Sequence, residues 1–154
     1  IVVLGLLLSS SAYAQNLKFT KIINLDKPWG SSFINKDELI ITEKNGKIKI
    51  VNINSGEVLE VDHNLNFLKV GQGGLLDILY KDNFLWISYS EDRGNGKTST
   101  SIAKAILNKK ELNFKNIFQA NAPIDSIYHF SSSLCIKGKY LYASMLERGM
   151  RMIA

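Results

Sequence analysis

The sequence repeats one pattern of short strands and turns, and this repetition restricts the fold more than any other feature. The segments around Thr42, Ser88 and Ser144 each follow an apolar strand and a polar turn, and each leads into a turn with an acidic residue and a glycine. The first two are 46 positions apart and the last two are 56 apart. Four short strands at this spacing are typical of β-propeller blades of about 40–50 residues. A single antiparallel sandwich with chance self-similarity is the alternative.

No segment has sustained helical periodicity, so the pattern predicts an all-β protein. Short runs rich in β-branched and aromatic residues are separated by turn-forming pairs such as Asn45-Gly46 and Ser55-Gly56. The predicted strands are Ser31–Ile34, Glu38–Thr42, Lys47–Asn52, Glu57–Val61, Leu75–Tyr80, Phe84–Ser90, Ser99–Leu107, Glu111–Phe118, Ser132–Lys137 and Tyr140–Met145.

The first residues look like the end of a secretory signal peptide. Ile1–Leu8 is apolar throughout, and Ala12-Tyr13-Ala14 has the small-x-small pattern of a cleavage site. Because a spanning helix needs about 20 apolar residues, cleavage after Ala14 and export to the periplasm or the medium are predicted rather than a stable membrane anchor. Residues 1–14 are assigned to a signal peptide with an incomplete start. Residues 15–154 are assigned to the truncated N-terminal part of a propeller domain, about two and a half blades.

The composition is that of an ordinary globular protein. The 154 residues are 45% hydrophobic and 21% charged, which excludes a disordered tail or a collagen-like fibre. Two His and one Cys are too few for a Cys/His zinc site. The lone Cys135 lies in an apolar run and is predicted to be a buried strand thiol. The net charge of +5 comes mostly from scattered lysines, which are predicted on solvated strand faces; with export, this argues against nucleic-acid binding.

The most unusual segment is Gly71-Gln72-Gly73-Gly74-Leu75-Leu76-Asp77. Its glycines serve either a tight bulged turn, or the close approach of a flat ligand that Gln72 hydrogen-bonds, and both interpretations stay open. A dinucleotide fingerprint is excluded because the G-x-G-x-x-G spacing fails and no helix follows. Gly96-Lys97-Thr98 is not the end of a P-loop, because Glu91 stands where the first glycine is required.

His129, in Tyr128-His129-Phe130, also has two interpretations. A lone histidine is usually a surface residue or a hydrogen-bonded structural one. The alternative is a general base, since the ordinary pKa of an imidazole, about 6.5, suits proton abstraction at neutral pH. His63 lies in a polar stretch and is predicted to be solvated.

Five segments, in this order, resemble the soluble quinoprotein sugar dehydrogenases, the glucose/sorbosone (aldose sugar) dehydrogenase family. They are Pro28-Trp29-Gly30, Glu38–Asn52, Gly71–Ile78, Tyr128–Leu134 and Leu141–Gly149. The resemblance extends from about Leu25 to Ala154, and the GQGGLLD segment is its most specific part. It implies a six-bladed propeller that binds pyrroloquinoline quinone (PQQ) and calcium. The implied activity oxidises the C1 hydroxyl of an aldose to a lactone, passes the hydride to the quinone and delivers the electrons to a further acceptor.

The resemblance also implies roles for three residues. His129 matches the histidine that removes the hydroxyl proton, and Gln72 matches a polar contact in the substrate and cofactor site. Glu147 matches an acidic residue of a family motif and is predicted to orient His129. Metal ligands stay unassigned, since the family's calcium ligands and basic cofactor-binding residues lie mainly in later blades. The fragment alone is predicted to be inactive.

Three positions depart from the family pattern. Ser133 stands where the motif usually has Arg, Leu146 replaces a glycine, and Tyr128 occupies a position that is often Gly or Asp. These departures bear on substrate range and catalytic competence. The alternatives are a calcium-dependent sugar-lactone hydrolase on a similar propeller and a non-catalytic propeller that serves as a binding module. The hydrolase would need several carboxylate or Asn ligands around a central channel, and the sequence offers no such convergent set.

Overall fold

The computed structural model describes residues 18–121, 123–128, 130 and 133–145. These residues form eleven β-strands and no helix, so none of them belongs to a helix that could cross a membrane. The strands are β1 (Pro28–Phe33), β2 (Glu38–Glu43), β3 (Lys47–Asn52), β4 (Val58–His63), β5 (Leu75–Lys81), β6 (Phe84–Asp92), β7 (Thr98–Ile106), β8 (Glu111–Leu112), β9 (Lys115–Gln119), β10 (Leu134–Lys137) and β11 (Tyr140–Ala143). The predicted signal peptide lies outside the described residues.

Consecutive strands form consecutive sheets, as in the blades of a propeller. The first sheet has the order β1-β2-β3-β4 with β8 at its edge, the second has β5-β6-β7-β9, and β10 and β11 form a two-stranded sheet after them. Within the first sheet, β2 and β3 pair without interruption across the Asn45-Gly46 turn, where Gly46 has a φ of 104°. The arrangement confirms the predicted all-β propeller class, with two blades and the beginning of a third.

One predicted strand is wrong. The stretch Glu111–Phe118 is divided between β8 and β9, because the chain leaves the second sheet and docks on the first one. β8 pairs in parallel with β4, and Leu112 and Phe114 are buried. The Asn64 side chain accepts a hydrogen bond from the Phe114 amide (2.8 Å) and donates one to the Phe114 carbonyl (3.1 Å). The burial of these two apolar side chains and the hydrogen bonds to the Phe114 backbone therefore stabilise the divided strand more than a continuous outer strand would.

The apolar core lies between the first two sheets. Ile40, Ile48 and Ile50 of the first sheet pack with Leu85 and Ile87 of the second, and all five side chains are buried. Burying each contributes about 1.5–3 kcal/mol. The two blades are therefore held together by apolar contact.

The first strands of the two blades, β1 and β5, approach each other very closely. A Cβ atom on Gly30 would lie 2.6 Å from the Cα atom of Asp77. Ser32 Oγ accepts a hydrogen bond from the Tyr80 amide at 3.0 Å, and the Thr42 hydroxyl donates to the Leu76 carbonyl. The glycine of the Pro28-Trp29-Gly30 segment is thus required by the contact between the blades.

The Cys135 thiol is exposed, so its predicted burial is wrong. Its neighbour Leu134 is buried in the same strand, β10. Because successive side chains of a strand point to opposite faces, the burial of Leu134 turns Cys135 towards solvent. An apolar run in the sequence does not distinguish a strand covered on one face from one covered on both.

A buried polar network joins the middle and outer strands of the second sheet. The Glu91 carboxylate accepts hydrogen bonds from Ser101 Oγ (2.6 Å), Asn116 Nδ2 (2.8 Å) and Gln119 Nε2 (2.8 Å). The Tyr89 hydroxyl, on a side chain that is 2% exposed, donates to Asn116 Oδ1 at 2.6 Å. Burial and the nearby Glu91 charge raise the pKa of Tyr89 to about 12.

We expect Tyr89→Phe to change the alkaline stability of the protein. Because the pKa of Tyr89 in the folded state is above the ordinary value of about 10, its contribution to stability is complete below pH ~10 and is lost as the pH rises towards 12. Urea unfolding at a series of pH values should therefore show a steeper loss of stability in the wild type than in Tyr89→Phe. At neutral pH the variant should be less stable by about 1 kcal/mol, because Asn116 loses its donor. Tyr140→Phe, at an exposed tyrosine, is the control; parallel curves for wild type and Tyr89→Phe would contradict the expectation.

Candidate functional site

The glycine-rich segment forms a tight loop at the start of β5. The Gly73 amide donates to the Val70 carbonyl at 2.6 Å, and Gly71 and Gly74 have φ values of 48° and 144°. The Gly74 amide donates to Ser90 Oγ at 2.7 Å, and the Ser90 amide donates to the Gly74 carbonyl at 2.9 Å. The loop is therefore attached to β6, while Gln72 at its tip is exposed.

Close packing explains the glycines at positions 71 and 74. A Cβ atom on Gly71 would lie 2.2 Å from the Ile127 carbonyl oxygen, and one on Gly74 would lie 2.0 Å from the Lys44 carbonyl oxygen. The pairing of β5 with β6 is also irregular between Leu75 and Ile78. These contacts support the bulged-turn interpretation for the glycines.

The loop meets the stretch of chain that leads into the third blade. The Gln72 amide donates to the Ile127 carbonyl at 2.9 Å. The buried Phe130 ring packs on Gly73, where an added Cβ would lie 3.0 Å from the ring carbon Cζ. His129 lies between Ile127 and Phe130 in the sequence but outside the described residues, as does Glu147. The structure thus brings Gln72 together with the chain on both sides of His129.

Asp77 is a contact residue of this region that sequence reasoning missed. Its Oδ2 accepts a hydrogen bond from the Leu134 amide at 2.7 Å, at the start of β10, and its Oδ1 accepts one from the Ile78 amide at 2.9 Å. The carboxylate therefore attaches the third blade to the strand that follows the glycine loop. An aspartate inside a strand is unusual, because Asp is depleted there, and this was the available signal.

The turn between β2 and β3 supports the loop from the side of the first blade. The Lys44 ammonium donates a hydrogen bond to the Gly71 carbonyl. His63 is half-buried: its Nδ1 accepts from the Leu65 amide at 3.2 Å, which leaves Nε2 to donate to the Gly46 carbonyl at 2.7 Å. The predicted solvation of His63 is therefore wrong, since both ring nitrogens form hydrogen bonds with backbone groups.

A buried ion pair lies below the same turn. The Glu43 side chain is fully buried, and its Oε1 accepts from the Asp26 amide at 2.7 Å and from Lys49 Nζ at 2.8 Å. No donor among the described residues reaches Glu43 Oε2. The Lys49 side chain is 17% exposed, so the prediction that the lysines occupy solvated faces is wrong at this position.

Gln72, the exposed polar residue of the loop, can contribute hydrogen bonds. The side-chain amide of Gln72 offers two donors and an acceptor but does not titrate. It can therefore orient a polar ligand and cannot act as a base. Within the described parts of the chain, no three His, Cys, Asp or Glu side chains are grouped so that they could hold a metal ion. The four residues of the loop, Gly71–Gly74, carry no acid–base side chain.

The blades define a β-propeller, and the glycine loop lies where successive blades meet. The family model for glucose/sorbosone dehydrogenases matches residues 25–154, and the chain belongs to this family. The match confirms the resemblance found in the five sequence segments. Sequence comparison with the curated proteins gives no match.

Several solved structures have the same fold. A glucose dehydrogenase matches with a TM-score of 0.76 and 26% identity, over 82% of this chain and 40% of that chain. The apo form of the soluble aldose sugar dehydrogenase from Escherichia coli matches with the same values. The PQQ-bound aldose sugar dehydrogenase from Streptomyces coelicolor matches with a TM-score of 0.72 and 19% identity, over 82% and 40%. The chain thus spans about 40% of the length of these neighbours.

Proposed function

We propose that the full-length protein is an exported, PQQ-dependent aldose sugar dehydrogenase that oxidises the C1 hydroxyl of a sugar to the lactone. Membership of the glucose/sorbosone dehydrogenase family supports this reaction class. The observation that carries the site assignment is the contact of the Gln72 loop with Ile127 and Phe130, which lie two residues before and one residue after His129. PQQ is taken from the solved Streptomyces coelicolor neighbour, which contains it. Export rests on the residues up to Ala14, as in the sequence prediction.

In the proposed reaction, His129 acts as the general base. PQQ, when bound, would supply a two-electron oxidant able to take up the C1 hydrogen as hydride. His129 takes the proton of the C1 hydroxyl as the carbon–oxygen bond becomes a carbonyl. Gln72 hydrogen-bonds the substrate or the cofactor and orients it relative to His129. Glu147 accepts a hydrogen bond from the His129 ring and stabilises the imidazolium.

The described residues offer one polar contact to a flat cofactor. Gln72 is exposed, and its side-chain amide can donate and accept hydrogen bonds. Calcium belongs to the proposal only through the family resemblance, and no residue described here is assigned to it.

Dye reduction is the direct test of the activity. The purified full-length protein should reduce an electron-accepting dye with an aldose only after PQQ and calcium are added. Hydrolysis of a sugar lactone without dye reduction would favour the lactone hydrolase instead. Sugar binding without turnover in the presence of PQQ would favour the binding module.

We expect Gln72→Ala to lower kcat/KM for the aldose by about 10- to 100-fold, because a hydrogen bond that orients the reacting groups is lost. The thermal midpoint should change little, since the Gln72 side chain is exposed. Asn54→Ala is the matched control, because Asn54 is an exposed amide in the β3–β4 turn, at the opposite end of the sheet from the Asn45-Gly46 turn. Equal kcat/KM values for Gln72→Ala and Asn54→Ala would remove Gln72 from the site.

A further inference from the structure

Lys44 has an unusual place beside the proposed site. It belongs to the first blade, yet its ammonium donates to the carbonyl of Gly71, the residue before Gln72. We propose that Lys44 is a positioning residue that fixes the orientation of Gln72, an inference that rests on the proposed role of Gln72 in the dehydrogenase site.

The argument starts from a single peptide group. The carbonyl of Gly71 and the amide of Gln72 belong to the same peptide plane. The Lys44 ammonium holds the oxygen of this plane, and the Ile127 carbonyl accepts its N–H at 2.9 Å. The two hydrogen bonds come from opposite sides: one from the first blade, one from the segment that enters the third. Together they fix the rotation of the plane and so the direction in which the Gln72 side chain leaves the backbone.

A glycine at position 71 makes this support necessary. Gly71 has a φ of 48°, and Ile127 leaves no room for a Cβ atom there. Glycine populates more backbone conformations than any other residue, so the peptide that follows it rotates readily unless it is held. Packing therefore imposes a flexible residue immediately before Gln72, and the hydrogen bond from Lys44 restores the rigidity that the glycine removes.

The base of the Lys44 side chain is itself rigid. The Lys44 amide donates to the Lys27 carbonyl at 3.0 Å, and the Gly46 amide closes the turn on the Glu43 carbonyl at 3.0 Å. The Lys44 carbonyl oxygen lies against Gly74, at the other end of the loop. The same turn thus touches both ends of the loop that carries Gln72, which suits a positioning role better than a chance surface contact.

The test is a double-mutant cycle in the full-length protein loaded with PQQ and calcium. Wild type, Lys44→Met, Gln72→Ala and the double variant are compared by kcat and KM for an aldose. Lys44→Met should lower kcat/KM by about tenfold, the effect of one hydrogen bond from a charged donor. The loss should disappear in the Gln72→Ala background, because Lys44 acts through Gln72. Lys44→Arg should retain most of the activity, because the guanidinium also donates to a carbonyl.

Hydrogen exchange gives a readout that does not depend on activity. The backbone amide proton of Gln72 should exchange faster in Lys44→Met than in wild type, because only the hydrogen bond to the Ile127 carbonyl then holds its peptide plane. Lys47→Met is the matched control: Lys47 lies in the same hairpin but pairs with Glu60 on the surface, and it should alter neither exchange at Gln72 nor kcat/KM.

The outcomes separate the two proposals. If Gln72→Ala has full activity, the proposed role of Gln72 fails. If Gln72→Ala is impaired but Lys44→Met is neutral, or if the two losses simply multiply in the double variant, the positioning role of Lys44 is overturned while that of Gln72 stands. Unchanged exchange of the backbone amide proton of Gln72 in Lys44→Met also overturns the positioning role of Lys44.

Discussion

Replacing His129 by alanine in the full-length protein should lower kcat for aldose oxidation by about two to four orders of magnitude, the usual contribution of a general base. The expectation follows from the proposed reaction, in which the C1 hydroxyl must lose its proton as the hydride leaves. Gln72 has no titratable group, so the described part of the loop cannot take over this role. The measurement is dye reduction with saturating aldose, PQQ and calcium.

Two additional measurements separate a lost base from a damaged site. The affinity of His129→Ala for PQQ, followed by titration of the cofactor, should stay close to that of the wild type. Added imidazole should restore part of the rate, because a free base can occupy the space left by the side chain. His63→Gln is the control at the other histidine, whose ring holds the Gly46 carbonyl; it should lose stability and keep its kcat. A wild-type rate in His129→Ala would exclude this residue as the base.

Much of the fold was predictable because its determinants are local. The strands β2, β3, β5, β6 and β11 begin at the predicted residues, and the turns between them have the glycine and asparagine chemistry that hairpins require. The division of Glu111–Phe118 into β8 and β9 was not predictable in the same way. It depends on the packing of Leu112 and Phe114 into the core and on the hydrogen bonds of Phe114 with Asn64, 50 positions away along the chain. Patterns within one segment carry no information about such a partner.

The candidate site was likewise predictable only where its determinants are local. The glycine segment with Gln72 is visible in the sequence because three glycines around one amide are rare at a strand entry. The sequence does not reveal the roles of Lys44, Asp77 and Ile127, because each contributes through a hydrogen bond to a residue more than 25 positions away. Lys44 resembles the chain's other scattered lysines in every local respect. Its contact with Gly71 exists only because two blades meet at that turn.

The acidic residue of the repeat is buried and hydrogen-bonded in both complete blades. Glu43 at the end of β2 and Glu91 near the end of β6 are both buried, and both carboxylates accept hydrogen bonds from neighbouring segments. Burial of a carboxylate is unfavourable unless donors compensate its charge, so this position of the blade is built to supply them. Glu147 is the corresponding residue of the third repeat in the sequence. The precedent supports the proposal that its carboxylate accepts a hydrogen bond, there from His129.

The buried Glu43–Lys49 pair leads to the second large expected effect, on stability. We expect Lys49→Met to lower the free energy of unfolding by about 3–5 kcal/mol, because it leaves a buried carboxylate without its counterion. The Glu43 side chain is fully buried, and no described donor reaches its Oε2. After the substitution only the Asp26 amide would remain on this carboxylate among the described contacts. Urea unfolding of the full-length protein at neutral pH measures the loss.

Lys47→Met is the matched control, two residues earlier in the same strand. The Lys47–Glu60 pair has the same N–O distance of 2.8 Å as Lys49–Glu43, but its side chains are 48% and 50% exposed, so its loss should hardly alter the unfolding midpoint. Glu43→Gln in the Lys49→Met background should recover part of the stability, because a neutral amide needs no counterion. Equal effects of the two lysine substitutions would mean that Glu43 is compensated by groups other than Lys49. A large loss that Glu43→Gln fails to relieve would assign the effect to the packing of the Lys49 methylenes instead of its charge.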